Sequence, residues 1–144
     1  MTVNDLLKRK GPRLLTARPN DTLLAVAEKL TSNDIGALTV LDEEGRLVGI
    51  VSERDIVRTL AKKPEEASNM HVKTMMTRDV VVCAGSDRVR TALLLMKWGH
   101  IRHLPVMDNG TLIGIISQRD AMEALLEQDE LEIKVLRDAV LPTR

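Results

Sequence analysis

A chain of 144 residues, 44% of them hydrophobic, is long enough to bury the core of one ordinary globular domain. Its 21 Lys and Arg balance its 21 Asp and Glu, so no global field recruits nucleic acid or an anionic membrane. Phe and Tyr are absent and Trp98 is the single aromatic, which removes the stacking platforms that single-stranded nucleic acid needs. Cys83 alone forms no intramolecular disulfide, no run approaches a membrane span, and Met1-Thr2-Val3-Asn4-Asp5 lacks the basic and apolar regions of a signal peptide. The expectation is a cytoplasmic protein.

In chain order, Val3, Leu6 and Leu7 share one face of a short helix that residues 8–12 bring to an end at Pro12. Leu14, Leu15, Thr16 and Ala17 read as a short apolar strand, followed by a turn over 18–22 in which Asn20 or Asp21 caps the next helix. Leu23, Leu24, Val26, Ala27 and Leu30 give that helix its apolar face up to about Asn33. Strands over 37–41 and 46–51 flank the hairpin signal Asp42-Glu43-Glu44-Gly45. A helix from Ser52 to about Lys62 and a polar linker over 63–69 complete the series.

The series then begins again. Val72, Met75 and Met76 repeat the pattern of Val3, Leu6 and Leu7, residues 80–83 stand for 14–17, and Asp87 stands for Asp21. A helix over 89–98 answers the first, a strand over 103–107 follows, and Asn109-Gly110 makes the turn. The offset is 87 − 21 = 66 at the first aspartate and 120 − 55 = 65 at the last, as a shorter second hairpin requires. The chain is a tandem duplication, divided as 1–68 with the N-terminal helix, 69–127, and a helical extension over 128–144. Neither half, at roughly 60 residues, buries enough surface alone, so the two are expected to share a core around a pseudo-two-fold axis.

Each copy closes on the same stretch, Gly49-Ile50-Val51-Ser52-Glu53-Arg54-Asp55 and Gly114-Ile115-Ile116-Ser117-Gln118-Arg119-Asp120. A buried β-branched strand ends at a serine and turns into a helix with an aspartate in its first turn. Serine caps the free N–H groups, and the carboxylate sits in the positive end of the helix dipole. An ionised carboxylate fixed beyond a strand end can accept two hydrogen bonds from a vicinal diol, which makes ribose a natural ligand. Ser-x-x-acid before an apolar run is equally a capping box that binds nothing.

With Arg102-His103-Leu104-Pro105-Val106 in the second copy, the doubled unit resembles a tandem CBS-domain module over about residues 3–126, of the stand-alone bacterial kind with no catalytic domain attached. The resemblance implies an α/β (α+β) fold, each repeat a small, mainly three-stranded sheet with helices packed on it. It also implies a regulatory module that binds an adenosine-containing ligand, AMP, ADP, ATP, NAD(H) or S-adenosylmethionine, between the repeats, with no cofactor required and no catalysis. Carried over by residue, Asp55 and Asp120 match the ribose-binding aspartates with Ser52 and Ser117 beside them. Arg102 and His103 match phosphate-holding positions, Arg54 and Arg119 sit within reach of phosphate, and Thr16, Ala17, Ile35, Gly36, Ala37, Val82 and Cys83 match segments that surround adenine.

The first repeat has Gly36-Ala37 where the second has Arg102-His103, so the two sites are expected to differ in affinity, with Asp120 paired to Arg102 and His103 in the better one. The competing function is a ligand-free scaffold in which both aspartates are only caps. His71, His100 and His103 with Cys83 fit no closed zinc spacing, and Ser117, His103 and Asp120, though triad residue types, are better explained as caps and a strand end. The methionines fall at apolar helical positions, as core filler.

The last helix runs on to about Val140. Leu126, Ile133 and Val140 lie seven apart with Met122, Asp129 and Leu136 at the offset position, a heptad-like seam with one polar break. A seam of that length points to a homodimer, with contact to the N-terminal helix as the alternative and Trp98 at a subunit contact or under a ligand. No pattern identifies a regulated partner protein.

Overall fold

The computed structural model describes residues 1–140. Two three-stranded sheets with helices packed on them repeat the same path. The first comprises β1 (Thr16–Ala17), α2 (Leu23–Asn33), β2 (Ala37–Leu41), β3 (Leu47–Ser52) and α3 (Glu53–Lys62), preceded by α1 (Val3–Lys10). The second comprises β4 (Cys83–Ala84), α4 (Val89–Gly99), β5 (His103–Asp108), β6 (Thr111–Ser117) and α5 (Gln118–Val140). In each sheet the middle strand pairs antiparallel with the third and parallel with the first, as Leu38 with Val51 and Thr16 with Thr39, or Leu104 with Ile116 and Cys83 with Val106. The second hairpin turns through Asn109 (φ 49°) and Gly110 (φ 78°), both left-handed as a tight hairpin turn requires.

Local chemistry corrects three of the boundaries. The cap of α2 is Thr22, whose Oγ1 accepts the Ala25 N–H at 3.1 Å; Asp21 instead fixes the preceding turn by accepting the Arg18 N–H at 2.8 Å. Asp87 does the same for Ala84 at 2.8 Å, which explains why the two aspartates align without capping a helix. Residues 14–15 and 80–82 stay outside the sheets because the parallel edge pairing takes in only two residues in each repeat, Thr16 and Ala17 or Cys83 and Ala84. Val72, Met75 and Met76 form no counterpart of α1: this segment makes one 3-10 turn, Val72–Thr74.

The expected shared core is not formed, for a reason invisible in the repeat. One core gathers Leu23, Val26 and Leu30 of α2 against Leu38, Val40 and Val51. The other gathers Val89, Ala92 and Met96 of α4 against Leu104, Val106 and Ile116, with Ala121 and Ala124 of α5. The short apolar segments that precede the repeats cross over. Val3 and Leu6 of α1 lie in the second core, and Val72 and Met76 lie in the first. Backbone bonds hold each arm in place: Val3 N–H to Asp87 O and Asn4 N–H to Gly85 O, both at 2.8 Å, answered by Val72 N–H to Asp21 O at 2.8 Å and Leu23 N–H to Met70 O at 2.9 Å. The division at residue 68 therefore follows the repeat but not the packing, since α1 belongs physically to the second sheet.

Glycine makes room for both arms. A Cβ on Gly114 would meet Leu7 Cδ2 at 2.6 Å, and one on Gly49 would meet Met76 Sδ at 2.5 Å and the Thr77 carbonyl oxygen at 3.1 Å. Because Thr77 is bridged to Ile50 through the backbone in both directions, it has little freedom to retreat. Gly49→Ala is expected to lower the unfolding free energy by about 1–3 kcal/mol through overpacking, read by urea titration. A variant as stable as the wild type would show that the second arm does not rest on β3.

Helix α5 contacts α1 near its start, where Arg9 pairs with Glu127 and Leu125 is half-buried. The alternative contact with the N-terminal helix thus forms, but it ends there: every residue from 126 to 140 is exposed. Residues 141–144 of the expected extension lie outside the described residues.

Candidate functional site

The strand-to-helix junction after β3 fixes Asp55 in the first turn of α3. Its Oδ2 accepts the Ser52 N–H at 2.9 Å and the Ser52 hydroxyl at 3.2 Å, and the residue is only 9% exposed. Both bonds end on one oxygen, so Oδ1 keeps its acceptor capacity for another donor. Asp55 lines a cleft of about 280 Å³ that draws on both repeats. Ser52, Arg54, Arg58 and Gly36 come from the first, and Thr77, Val80, Val81, Arg102 and His103 from the second. The volume is near the lower bound of the roughly 300–1,000 Å³ of small-molecule sites.

The pseudo-equivalent cleft, about 180 Å³, is lined by Lys10, Arg13, Leu15, Ile35, Ala37, His103, Ile115, Ile116 and Ser117. Asp120 does not itself line this cleft but stands beside it at the start of α5, behind Lys10, where its Oδ2 accepts the Ser117 N–H at 3.3 Å while Ser117 Oγ accepts the Asp120 N–H at 3.0 Å. That same Oδ2 is 2.7 Å from the Lys10 ammonium. Burial alone pushes the Asp120 carboxyl up, but the Lys10 hydrogen bond and charge, with the Ser117 donors, hold it below the usual carboxylate range.

The expected grouping of Asp120 with Arg102 is therefore not the one formed. Arg102 lines the Asp55 cleft, and His103 lines both. Gly36 explains the second fact: a Cβ there would meet His103 Nε2 at 3.1 Å, so the imidazole of the second repeat fills the space left by the glycine of the first. The substitution between repeats that reads as a difference between two sites is, in space, a contact between them. Burial pushes the His103 pKa down, and Lys10 and Arg102 push the same way against the opposing charge of Asp120. His103 is thus uncharged at neutral pH and offers a hydrogen bond rather than a charge, leaving Arg54, Arg58 and Arg102 as the cations of the first cleft.

The other expected positions divide. Arg54 lines the first cleft, with Nη1 donating to the His100 carbonyl at 3.4 Å. Arg119 lines neither cleft and pairs with Glu123 at 3.1 Å, because its helix turns it outward. Ile35 and Ala37 line the second cleft and Gly36 the first. Thr16, Ala17, Val82 and Cys83 line neither. Their places are taken by Leu15 and by Val80 and Val81, one or two residues earlier, because the strands begin later than the apolar runs do. Cys83 faces the second core, where burial pushes its thiol up to about 11.

Sequence reasoning missed Arg58, Asp79, Thr77 and Lys10. Arg58 was within reach, since it lies four residues after Arg54 on the same helical face, and it also lines an adjoining hollow with Lys62 and Lys63. Thr77 and Lys10 enter through the exchanged arms, which no local pattern announces.

The CBS domain family model matches residues 3–62 and 72–127. An uncharacterized 17.7 kDa protein of Acidianus ambivalens is 35% identical over 116 residues, covering 80% of this chain and 69% of its own. Among solved structures, a CBS-domain containing protein from Agrobacterium tumefaciens is 36% identical with a TM-score of 0.83, covering 86% of this chain and 98% of its own. The CBS domain pair of protein MJ0100, in complex with 5'-methylthioadenosine and S-adenosyl-L-methionine, is 26% identical with a TM-score of 0.79, covering 89% and 98%.

Proposed function

This chain belongs to the CBS-domain family, and from that premise we propose that it is a cytoplasmic regulatory module that binds an adenosine-containing ligand in the Asp55 cleft without transforming it. The observation that carries the reading is Asp55 itself: a nearly buried carboxylate, fixed by Ser52 through one oxygen, in a two-repeat cleft whose three arginines can meet phosphate. A ribose diol donates to the carboxylate, a phosphate accepts from Arg54, Arg58 or Arg102, and Val80, Val81 and Ile50 offer an apolar wall to the base. That the MJ0100 pair was solved with two adenosine derivatives supports the ligand class and leaves AMP, ADP, ATP and NAD(H) as the ligands to compare. The role proposed with it is sensing, through a ligand that bridges the repeats and through a regulated protein partner. Calorimetric titration of nucleotide-stripped protein with AMP, ATP and NADH tests it. Heat from at least one is expected; a folded protein that gives none with any of the three returns the cleft to a scaffold.

The same reading includes a homodimer, formed through α5. A fifteen-residue helical segment that buries none of its apolar side chains is marginal in water, and residues 126–140 expose Leu126, Ile133, Leu136 and Val140 on one stripe. A second copy laid antiparallel about Ile133 puts Leu126 opposite Val140 and the one polar seam residue, Asp129, opposite Arg137. In the same register Glu132 faces Lys134. Sedimentation equilibrium is expected to give twice the chain mass for the wild type and the chain mass for Ile133→Glu. A wild type that sediments as a single chain at its highest soluble concentration removes the dimer.

A further inference from the structure

The two clefts differ most at one atom. In the second, Lys10 Nζ lies 2.7 Å from Asp120 Oδ2 and 2.9 Å from the Ile115 carbonyl oxygen. In the first, the equivalent carbonyl, Ile50 O, takes the backbone N–H of Thr77 at 2.9 Å, and Asp55 has no ion pair among the described residues. The difference begins in the arms. The first is a full helix, α1, whose last residue carries an ammonium into the cleft; the second is one short turn that meets β3 through its backbone and brings no cation to Asp55. Where a ribose would place its hydroxyl donors, the second repeat already has a donor of its own.

We propose that Lys10 is an internal occupant of the Asp120 cleft, so that each chain presents one open nucleotide site, the Asp55 cleft, and Lys10 sets this asymmetry. The inference rests on the adenosine-ligand reading above. An incoming ribonucleotide must break the Lys10–Asp120 contact to reach the carboxylate, and it must enter a cleft of about 180 Å³ against about 280 Å³ for its counterpart. The Lys10 and Asp120 side chains keep 34% and 30% of their surface exposed, so the occupant is displaceable and its removal does not open the core.

Lys10→Ala and Lys10→Ser, each confirmed as folded by circular dichroism and thermal unfolding, would be titrated calorimetrically with AMP, ATP and NADH beside the wild type and the double variant Lys10→Ala, Asp120→Asn. The expected stoichiometry is one ligand per chain for the wild type, two for either Lys10 variant, and one again for the double variant, which assigns the gained site to Asp120. Two ligands on the wild type, or one on both Lys10 variants, overturns the inference while leaving the Asp55 reading intact. Loss of a site on removing Lys10 also overturns it and makes the lysine a phosphate ligand instead. No binding by any of the proteins overturns the inference together with the reading beneath it.

Discussion

Asp55→Asn is expected to weaken adenine-nucleotide binding at least about tenfold, or roughly 1.4 kcal/mol, with the fold intact. Asparagine keeps the shape of the side chain and a carbonyl oxygen for the Ser52 donors, which lie at 2.9 and 3.2 Å. What it loses is specific to the ligand. The amide presents hydrogens where a carboxylate presents lone pairs, so one of two diol donors faces another donor, and the charge that strengthens the remaining bond is gone. Titration of the variant with whichever nucleotide binds the wild type reads the change directly. Asp120→Asn is the matched control: its carboxylate is already held by Lys10, so affinity at the open site should move by less than about twofold. Equal losses in the two variants would show that both aspartates serve one site, and no loss in Asp55→Asn would make its carboxylate a cap alone.

The doubled helix, strand, helix, strand, strand, helix order was legible because hydrophobic period and turn residues are local, and each repeat writes them out in full. Asp55 and Asp120 were legible for the same reason, as residues fixed to a strand end by three-residue spacing. What the repeat could not convey is where segments go after they leave it. Val3 and Leu6 carry the same apolar spacing whether α1 packs on its own sheet or on the other one, and only the backbone contacts to Gly85 and Asp87 decide. That crossing delivers Lys10 to Asp120, the contact on which the proposed asymmetry of the two clefts rests. Arg102 lines the cleft of Asp55 and not the one beside Asp120, because pairing across a pseudo-two-fold axis depends on how the repeats face each other. The contact between Gly36 and His103 shows that facing, and no alignment of the two repeats contains it.

Leu6→Ala tests the crossing itself and should cost about 2–5 kcal/mol, a large share of the roughly 5–15 kcal/mol that holds a domain of this size. Leu6 is 3% exposed and belongs to the second core, the cluster that also holds Leu104, Val106 and Ile116, so truncation leaves a cavity there. The cost should be local in a way the linear repeat does not suggest. Amide hydrogen exchange is expected to speed up first in β5, β6 and α4, although the substitution lies near the N-terminus, while β2 and β3 keep more of their protection. Val72→Ala should give the reverse pattern, loosening β2, β3 and α2 from a position between the repeats. If either substitution instead speeds exchange equally in both sheets, the two clusters behave as the single shared core that a pair of small repeats would otherwise be expected to need. A split response means that each repeat is completed by the other's arm.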